Sequence, residues 1–232
     1  TINSGGSLIV NGTSTGNVTY NTTLGTENWY LVSSPVAGET YDGAYVTANS
    51  LAINGTNNAI ATYTTGANTW SYMQTGGGAT FTPGTGYSVR RATAQGSGDI
   101  SFTGTINTSD VTTPSLAIGF NLLGNPYTSY VNSGTFLGAA STNIDKTQMW
   151  VWNQSLPDYE VQLASAPFPF ILAPAQGFFV KATSAGAVTF AKSNQATEGG
   201  AFQKSTTTEV NLWMTDGSAK RYAKLYYLDN AT

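Results

Sequence analysis

Apolar and polar residues alternate in short runs along nearly the whole chain, and clusters of Gly, Asn, Pro or Ser interrupt the runs every 8 to 12 residues or so. Successive side chains of an extended backbone point to opposite faces, so a two-residue period marks a strand with one buried side. Thirteen runs stand out: SLIV (7–10), NWYLVS (28–33), NAIATY (58–63), TWSYMQ (69–74), GYSVRRA (86–92), DISFTG (99–104), FNLLG (120–124), MWVWN (149–153), YEVQLA (159–164), GFFVKA (177–182), AVTFAK (187–192), EVNLWMT (209–215) and AKLYYLD (223–229). A helical period is nowhere convincing. Many short strands at this spacing form sandwiches or barrels, and the chain is predicted to be all-β.

Composition limits the chemistry such a fold can carry. The 232 residues are 40% hydrophobic, enough for a sizeable core. Only 9% are charged, against about 25% in an average soluble domain, so Thr, Ser, Asn, Gln and Gly must supply the polar surface. That balance suits extracellular β-proteins. The net charge of −3 rests on 9 basic and 12 acidic residues, and Arg90-Arg91 is the single basic doublet among residues 1–200. Phosphate-backbone binding needs clustered Lys and Arg, so no nucleic-acid partner is expected. No apolar run approaches the ~18 residues of a membrane-spanning helix, and no signal peptide is expected within the chain. Membrane insertion is therefore not expected, and a chain opening on Thr1 is expected to be a mature or excised piece. With no Cys and no His, there is no disulfide, thiol nucleophile, Ser-His-Asp triad, or His or thiolate metal site. Carboxylate chemistry, Tyr, Lys or an oxygen-ligated cation remain.

The chain also resembles itself. NWYLVSSPVAG (28–38) aligns with GFNLLGNPYTS (119–129), and FTPGTGYSVRRAT (81–93) with ILAPAQGFFVKAT (171–183); Leu31 matches Leu122, Pro35 Pro126, Tyr87 Phe178 and Val89 Val180, all 91 apart. Between these blocks Tyr63 matches Trp152 and Trp70 matches Tyr159 at 89, and GDISFTG (98–104) matches GAVTFAK (186–192) at 88. Four collinear blocks point to a tandem pseudo-repeat of two antiparallel β-sandwich, jelly-roll-like units. The boundaries are a lead-in strand at 1–24, units at 25–113 and 114–199, and a C-terminal hairpin at 200–232 turning at Asp216-Gly217. That hairpin either pairs with the second unit or begins a further domain. In the Pro-x-x-Gly blocks, Pro83 and Pro174 preset φ, and Gly86 and Gly177 are expected to accept a positive φ.

The strings W-x-LVSSP, GNPY-x-SY, MWVWN…Y and APAQGFFVKA…VTFAKSNQ resemble a region widespread in large secreted and surface proteins of the Bacteroidota, lying upstream of the C-terminal sorting domain used by type IX secretion. The likeness covers roughly residues 5–229. It implies an extracellular β-rich module with the type IX secretion machinery as partner, and no catalytic residues. Family members carry Pro-Gly-Gln-Gly-Phe-Phe where this chain has Pro174-Ala175-Gln176-Gly177-Phe178-Phe179, a change expected only to stiffen the turn.

Among candidate sites, Glu39/Asp42 and Asp158/Glu160 are the closest acid groupings, and the expected reading is loop and strand-face charge, not a catalytic pair. No cofactor is expected, with Ca²⁺ the one alternative; the surroundings of Asp99 and Asp110 lack a dense acidic pattern, so such a site would rest on loop carbonyls. Aromatics are the stronger signal. Trp150, Trp152 and Tyr159 of the second hairpin, with Asn125, Tyr127 and Tyr130 of the Gly-Asn-Pro-Tyr corner, are the candidate ligand-binding residues, and Trp70 and Tyr72 add to the aromatic excess. Flat aromatic platforms flanked by Asn and Gln stack on sugars, which makes surface glycans the second partner. The competing expectation buries Trp150 and Trp152 against Phe178 and Val180.

Overall fold

The computed structural model describes residues 1–93, 98–139, 142–166 and 169–197, and the backbone of two further strands at 209–215 and 220–226. It is all-β with two short helices. The first half holds β1 (Val18–Leu24), β2 (Tyr30–Val32), β3 (Val36–Ala37), β4 (Thr40–Tyr41), α1 (Gly43–Ala48), β5 (Ile53–Asn54), β6 (Asn57–Thr64), β7 (Thr69–Gln74), β8 (Ala79–Thr80), β9 (Tyr87–Val89) and β10 (Gly98–Ile106). The second holds β11 (Val111–Thr112), β12 (Gly119–Gly124), β13 (Tyr130–Asn132), α2 (Ser133–Ala139), β14 (Gln148–Asn153), β15 (Asp158–Leu163), β16 (Ile171–Leu172), β17 (Gly177–Ala182), β18 (Thr189–Phe190) and β19 (Gln195–Ala196). Last come β20 (Glu209–Thr215) and β21 (Lys220–Tyr226), an antiparallel pair running from Glu209↔Tyr226 to Thr215↔Lys220. The Asp216-Gly217 turn lies outside the described residues. Among the described residues no helix is long and apolar enough to cross a membrane.

Two sheets dominate, β2-β9-β6-β5 with β7 also on β6, and β12-β17-β14-β15. They share one register. Tyr30, Leu31 and Val32 pair with Val89, Ser88 and Tyr87, while Asn121, Leu122 and Leu123 pair with Val180, Phe179 and Phe178, an offset of 91 in both strands. The hairpins pair Tyr63 with Trp70 and Trp152 with Tyr159, an offset of 89. Residues 18–24, read as a lead-in, belong to the first core: β1 pairs along its length with β10 and buries Tyr20 and Leu24.

The helices were missed because six and seven residues are under two turns, too short to show a 3.6-residue period. Each starts on a side-chain cap: Tyr45 N donates to Asp42 Oδ1 (2.9 Å) and Thr135 N to Asn132 Oδ1 (3.0 Å). Each buries one apolar side, Tyr45 and Val46 in one case and Phe136 and Leu137 in the other. SLIV (7–10) also departs from expectation and forms no strand, although Leu8 N donates to Thr128 O at 2.8 Å.

Alternation sends each sheet's side chains into two different cores. Tyr30, Val32, Ile60, Tyr87 and Val89 join Phe81 and Phe102 on the outer side of the first sheet. Leu123, Met149, Val151, Phe178 and Val180 join Phe136 and Phe190 on that of the second. The inner faces, Leu31, Tyr63 and Trp70 against Leu122, Phe179, Trp150 and Trp152, pack together as a third cluster.

A reciprocal exchange locks the halves. Ser33 N donates to Ala175 O (2.9 Å) and, 91 residues on, Gly124 N donates to Gly84 O (3.1 Å). The single bridges Val32↔Gln176 and Thr85↔Leu123 obey the same exchange. Each half thus lends its Pro-x-x-Gly turn to the first strand of the other, the geometry of an isologous dimer within one chain. The axis passes where Ser33 meets its own equivalent: a Cβ on Gly124 would lie 2.2 Å from that of Ser33. Only one side chain fits there: Ser33 carries it, and Gly124 leaves it room.

The turns correct the expectation about glycine. Thr85 N donates to Thr82 O (3.1 Å) and Gln176 N to Ala173 O (3.2 Å), and the positive φ falls directly after the proline, at Gly84 (78°) and Ala175 (62°). Gly86 and Gly177 are needed for close approach instead, since their Cβ atoms would lie 2.5 Å from Leu123 O and 2.9 Å from Leu31 C. Ala175 therefore does more than stiffen its turn: a left-handed Cβ residue costs roughly 1–2 kcal/mol, offset in part by burial of its methyl in the first core.

Candidate functional site

The inner faces meet imperfectly and leave two clefts. One, of about 340 Å³, is lined by Tyr63, Trp70, Phe120, Trp150, Tyr159 and Phe179. The other, of about 250 Å³, is lined by Trp29, Leu31, Trp70, Tyr72, Ser88, Trp152 and Tyr159. Applying the 91- and 89-residue offsets exchanges them: Tyr63 maps to Trp152, Trp70 to Tyr159, Phe120 to Trp29 and Phe179 to Ser88. Three positions break the exchange: Trp150, whose equivalent Ala61 does not line the smaller cleft, and Leu31 and Tyr72, whose equivalents Leu122 and Val161 do not line the larger one. The clefts are thus quasi-equivalent, one floored by Phe179 and the other by Ser88.

Edge-on ring contacts set the walls. Tyr63 lies 5.3 Å from Trp70 and 5.0 Å from Phe179, Trp152 lies 5.0 Å from Tyr159, and Phe120 lies 5.0 Å from Trp150, all between ring centroids at 65–85°. Such geometry brings the positive edge of one ring to the negative face of another. At the rim of the smaller cleft Trp29 and Tyr72 are 5.7 Å apart. Tyr63 Oη donates to Asn68 Oδ1 (2.9 Å), and the Lys181 ammonium sits 6.0 Å from the Phe120 ring. Tyr72, Phe120 and Tyr159 stay 38–40% exposed, so the aromatic walls are open to solvent. Burial, with Tyr63 adjacent, pushes the Tyr159 phenol up to about 12.

The sequence candidates divide. Trp150, Trp152 and Tyr159 line the clefts. Trp150 and Trp152 do not bury against Phe178 and Val180, which occupy the opposite face of their strand; they pack with Phe179. Asn125, Tyr127 and Tyr130 leave the candidate site, because the corner is buried where the halves interlock, at 0%, 0% and 6% exposure. Asn125 Nδ2 donates to Ser129 O (2.8 Å) and Ala173 O (3.0 Å), and its Oδ1 accepts from Tyr127 N (3.0 Å). The Tyr127 hydroxyl lies 2.7 Å from Phe190 O, and Tyr130 Oη donates to Gly5 O (3.0 Å). The residues that sequence reading missed are Tyr63, Phe120, Phe179, Trp29 and Ser88. The first four are aromatic positions in the aligned blocks, which signalled packing but not a shared surface.

The acids named above serve as local braces, accepting from backbone amides or neighbouring side chains. Asp42 caps α1, and Glu39 accepts from the Thr40 and Thr103 amides. Asp158 accepts from Tyr159 N (2.7 Å), and Glu160 accepts from Asn153 Nδ2 (2.7 Å). Asp99 accepts from Thr23 Oγ1 and Asp110 from Lys192 N. Among the described residues no three acids gather to hold a cation. Compared with known proteins, the chain matches no family model, no curated protein and no solved structure.

Proposed function

We propose that the chain is a non-catalytic, extracellular module of a secreted cell-surface protein, a cargo of the type IX secretion machinery serving adhesion or acting as a structural spacer. The observation that carries this reading is the division of labour among side chains. The clefts are walled by uncharged, mainly aromatic groups, while Glu39, Asp42, Asp158 and Glu160 are engaged as braces. The motif resemblance and the low charge supply the location. A module of this kind needs a stiff body, and the turn exchange between the halves supports that role. The test is export of the full-length parent from cells with and without an intact type IX machinery. Retention in the mutant cells supports the reading, and undiminished surface display contradicts it.

A second reading, a carbohydrate-binding module accompanying a polysaccharide-degrading enzyme, is favoured by the open aromatic clefts, whose flat faces match the C–H faces of sugar rings. A glycan array with an insoluble-polysaccharide pull-down separates the two. Specific retention of the folded protein supports sugar binding, and uniform absence of retention leaves the spacer role.

A further inference from the structure

We infer that the smaller cleft, and not its quasi-equivalent, is a site for one neutral pyranose ring. The inference rests on the sugar-binding reading and says where and how the sugar is held. Three observations carry it. Among the described residues no charged side chain lines the cleft, so the ligand is neutral. Its floor is Ser88, at the position that Phe179 fills in the larger cleft, so a polar group stands where its counterpart has a ring. Finally, Trp152, a lining residue, has a buried indole Nε1–H with no acceptor among the described residues.

A buried donor without an acceptor is an unfavourable arrangement. A ligand oxygen seated beside Ser88 supplies the acceptor. Nε1 is buried in the unliganded protein, so the proposed binding includes a turn of the indole. Trp29 and Tyr72, tilted 58° to each other, both line the cleft and supply aromatic surface on which a sugar can stack. The volume of about 250 Å³ lies just below the range of about 300–1,000 Å³ for drug-sized ligand sites, which suits a single ring at a chain end or branch.

The test titrates the full chain with methyl pyranosides of glucose, galactose, mannose, xylose and N-acetylglucosamine, read by tryptophan fluorescence and by ligand-observed NMR. At least one glycoside is expected to bind and to change the indole signal. Ser88→Phe, which copies the other cleft, abolishes binding. Tyr72→Ala, at an exposed position that leaves the cores intact, weakens it about 2- to 12-fold, as expected for loss of a stacking wall. Trp152→Phe, which keeps the packing and removes the donor, weakens it about 3- to 10-fold. Phe120→Ala in the larger cleft leaves it unchanged. Binding that survives Ser88→Phe and Tyr72→Ala but falls with Phe120→Ala overturns this site while sparing the sugar-binding reading. If no glycoside binds and the glycan array is blank, both fall.

Discussion

Exchanging the side chains on the pseudo-axis isolates the interlock from every other contact. Gly124→Ser places a second Cβ about where Ser33 already has one, at a built separation of 2.2 Å. Overpacking of this kind costs about 1–3 kcal/mol or more. Ser33→Gly gives up the bond from Ser33 Oγ to Asn125 O (2.8 Å), worth about 0.5–1.5 kcal/mol, and adds about 0.5–1 kcal/mol for glycine in an extended segment. Independent effects would make the double variant the worst of the three. Across a two-fold axis they are not independent: with Ser33→Gly present, the space at Gly124 is free, and Ser at that position faces Ser34, the counterpart of Asn125. The double variant is therefore expected to be more stable than Gly124→Ser alone, with a coupling energy of about 1–3 kcal/mol. Urea unfolding followed by tryptophan fluorescence on all four proteins measures it. Additive losses would refute the axial contact.

Other outcomes follow from the same geometry. Gly84→Ala forces a Cβ onto a φ of 78°, 3.1 Å from Thr113 Cγ2, and should cost about 1–2 kcal/mol in a thermal melt; an unchanged melt would remove the left-handed turn from the account. Asn125→Leu strands Ser129 O, Ala173 O and Tyr127 N, so a loss of about 2–4 kcal/mol is expected with glycoside binding by the residual folded protein intact; loss of binding in still-folded protein would return the corner to the site. Burial raises the phenols of Tyr20, Tyr127 and Tyr159, the last to about 12, whereas an unfolded chain ionises near 10. Their contribution is full below about pH 10 and is lost as pH climbs towards the folded values. Stability should decline above about pH 10, less steeply in Tyr159→Phe, and a flat profile there would contradict the burial of these rings.

Much of the fold is legible in the alternation. TWSYMQ and GFFVKA form strands over the residues expected, and the placement of Tyr87, Val89, Phe178 and Val180 in the outer cores follows from period two alone. The offsets of 91 and 89 found by aligning the chain with itself recur in the pairing registers. VTYNTTL (18–24) escaped notice because its outward face is Thr and Asn and only Tyr20, Thr22 and Leu24 turn in. AVTFAK shrinks to Thr189–Phe190, and the last strand begins three residues earlier than its apolar run.

The site was half legible. Trp150, Trp152 and Tyr159 announce an aromatic hairpin, yet many of the residues that complete their clefts, such as Trp29, Tyr63, Trp70 and Ser88, come from the other half, more than 60 residues away, and no local pattern encodes that. Asn125 and Tyr127 misled for the opposite reason. A Gly-Asn-Pro-Tyr corner has the composition of a surface loop, and only the interlock buries it.

Amide hydrogen exchange at Ser33, Gly86 and Gly124 tests the central claim most directly, because these N–H groups donate across the junction to Ala175, Leu122 and Gly84. If the halves form one interlocked body, all three exchange only through global unfolding, as slowly as the amide of Val89 inside the first sheet. Exchange at these positions through a low-energy local opening, with Val89 still protected, would mean that the halves separate freely and that the clefts between them are not a fixed site.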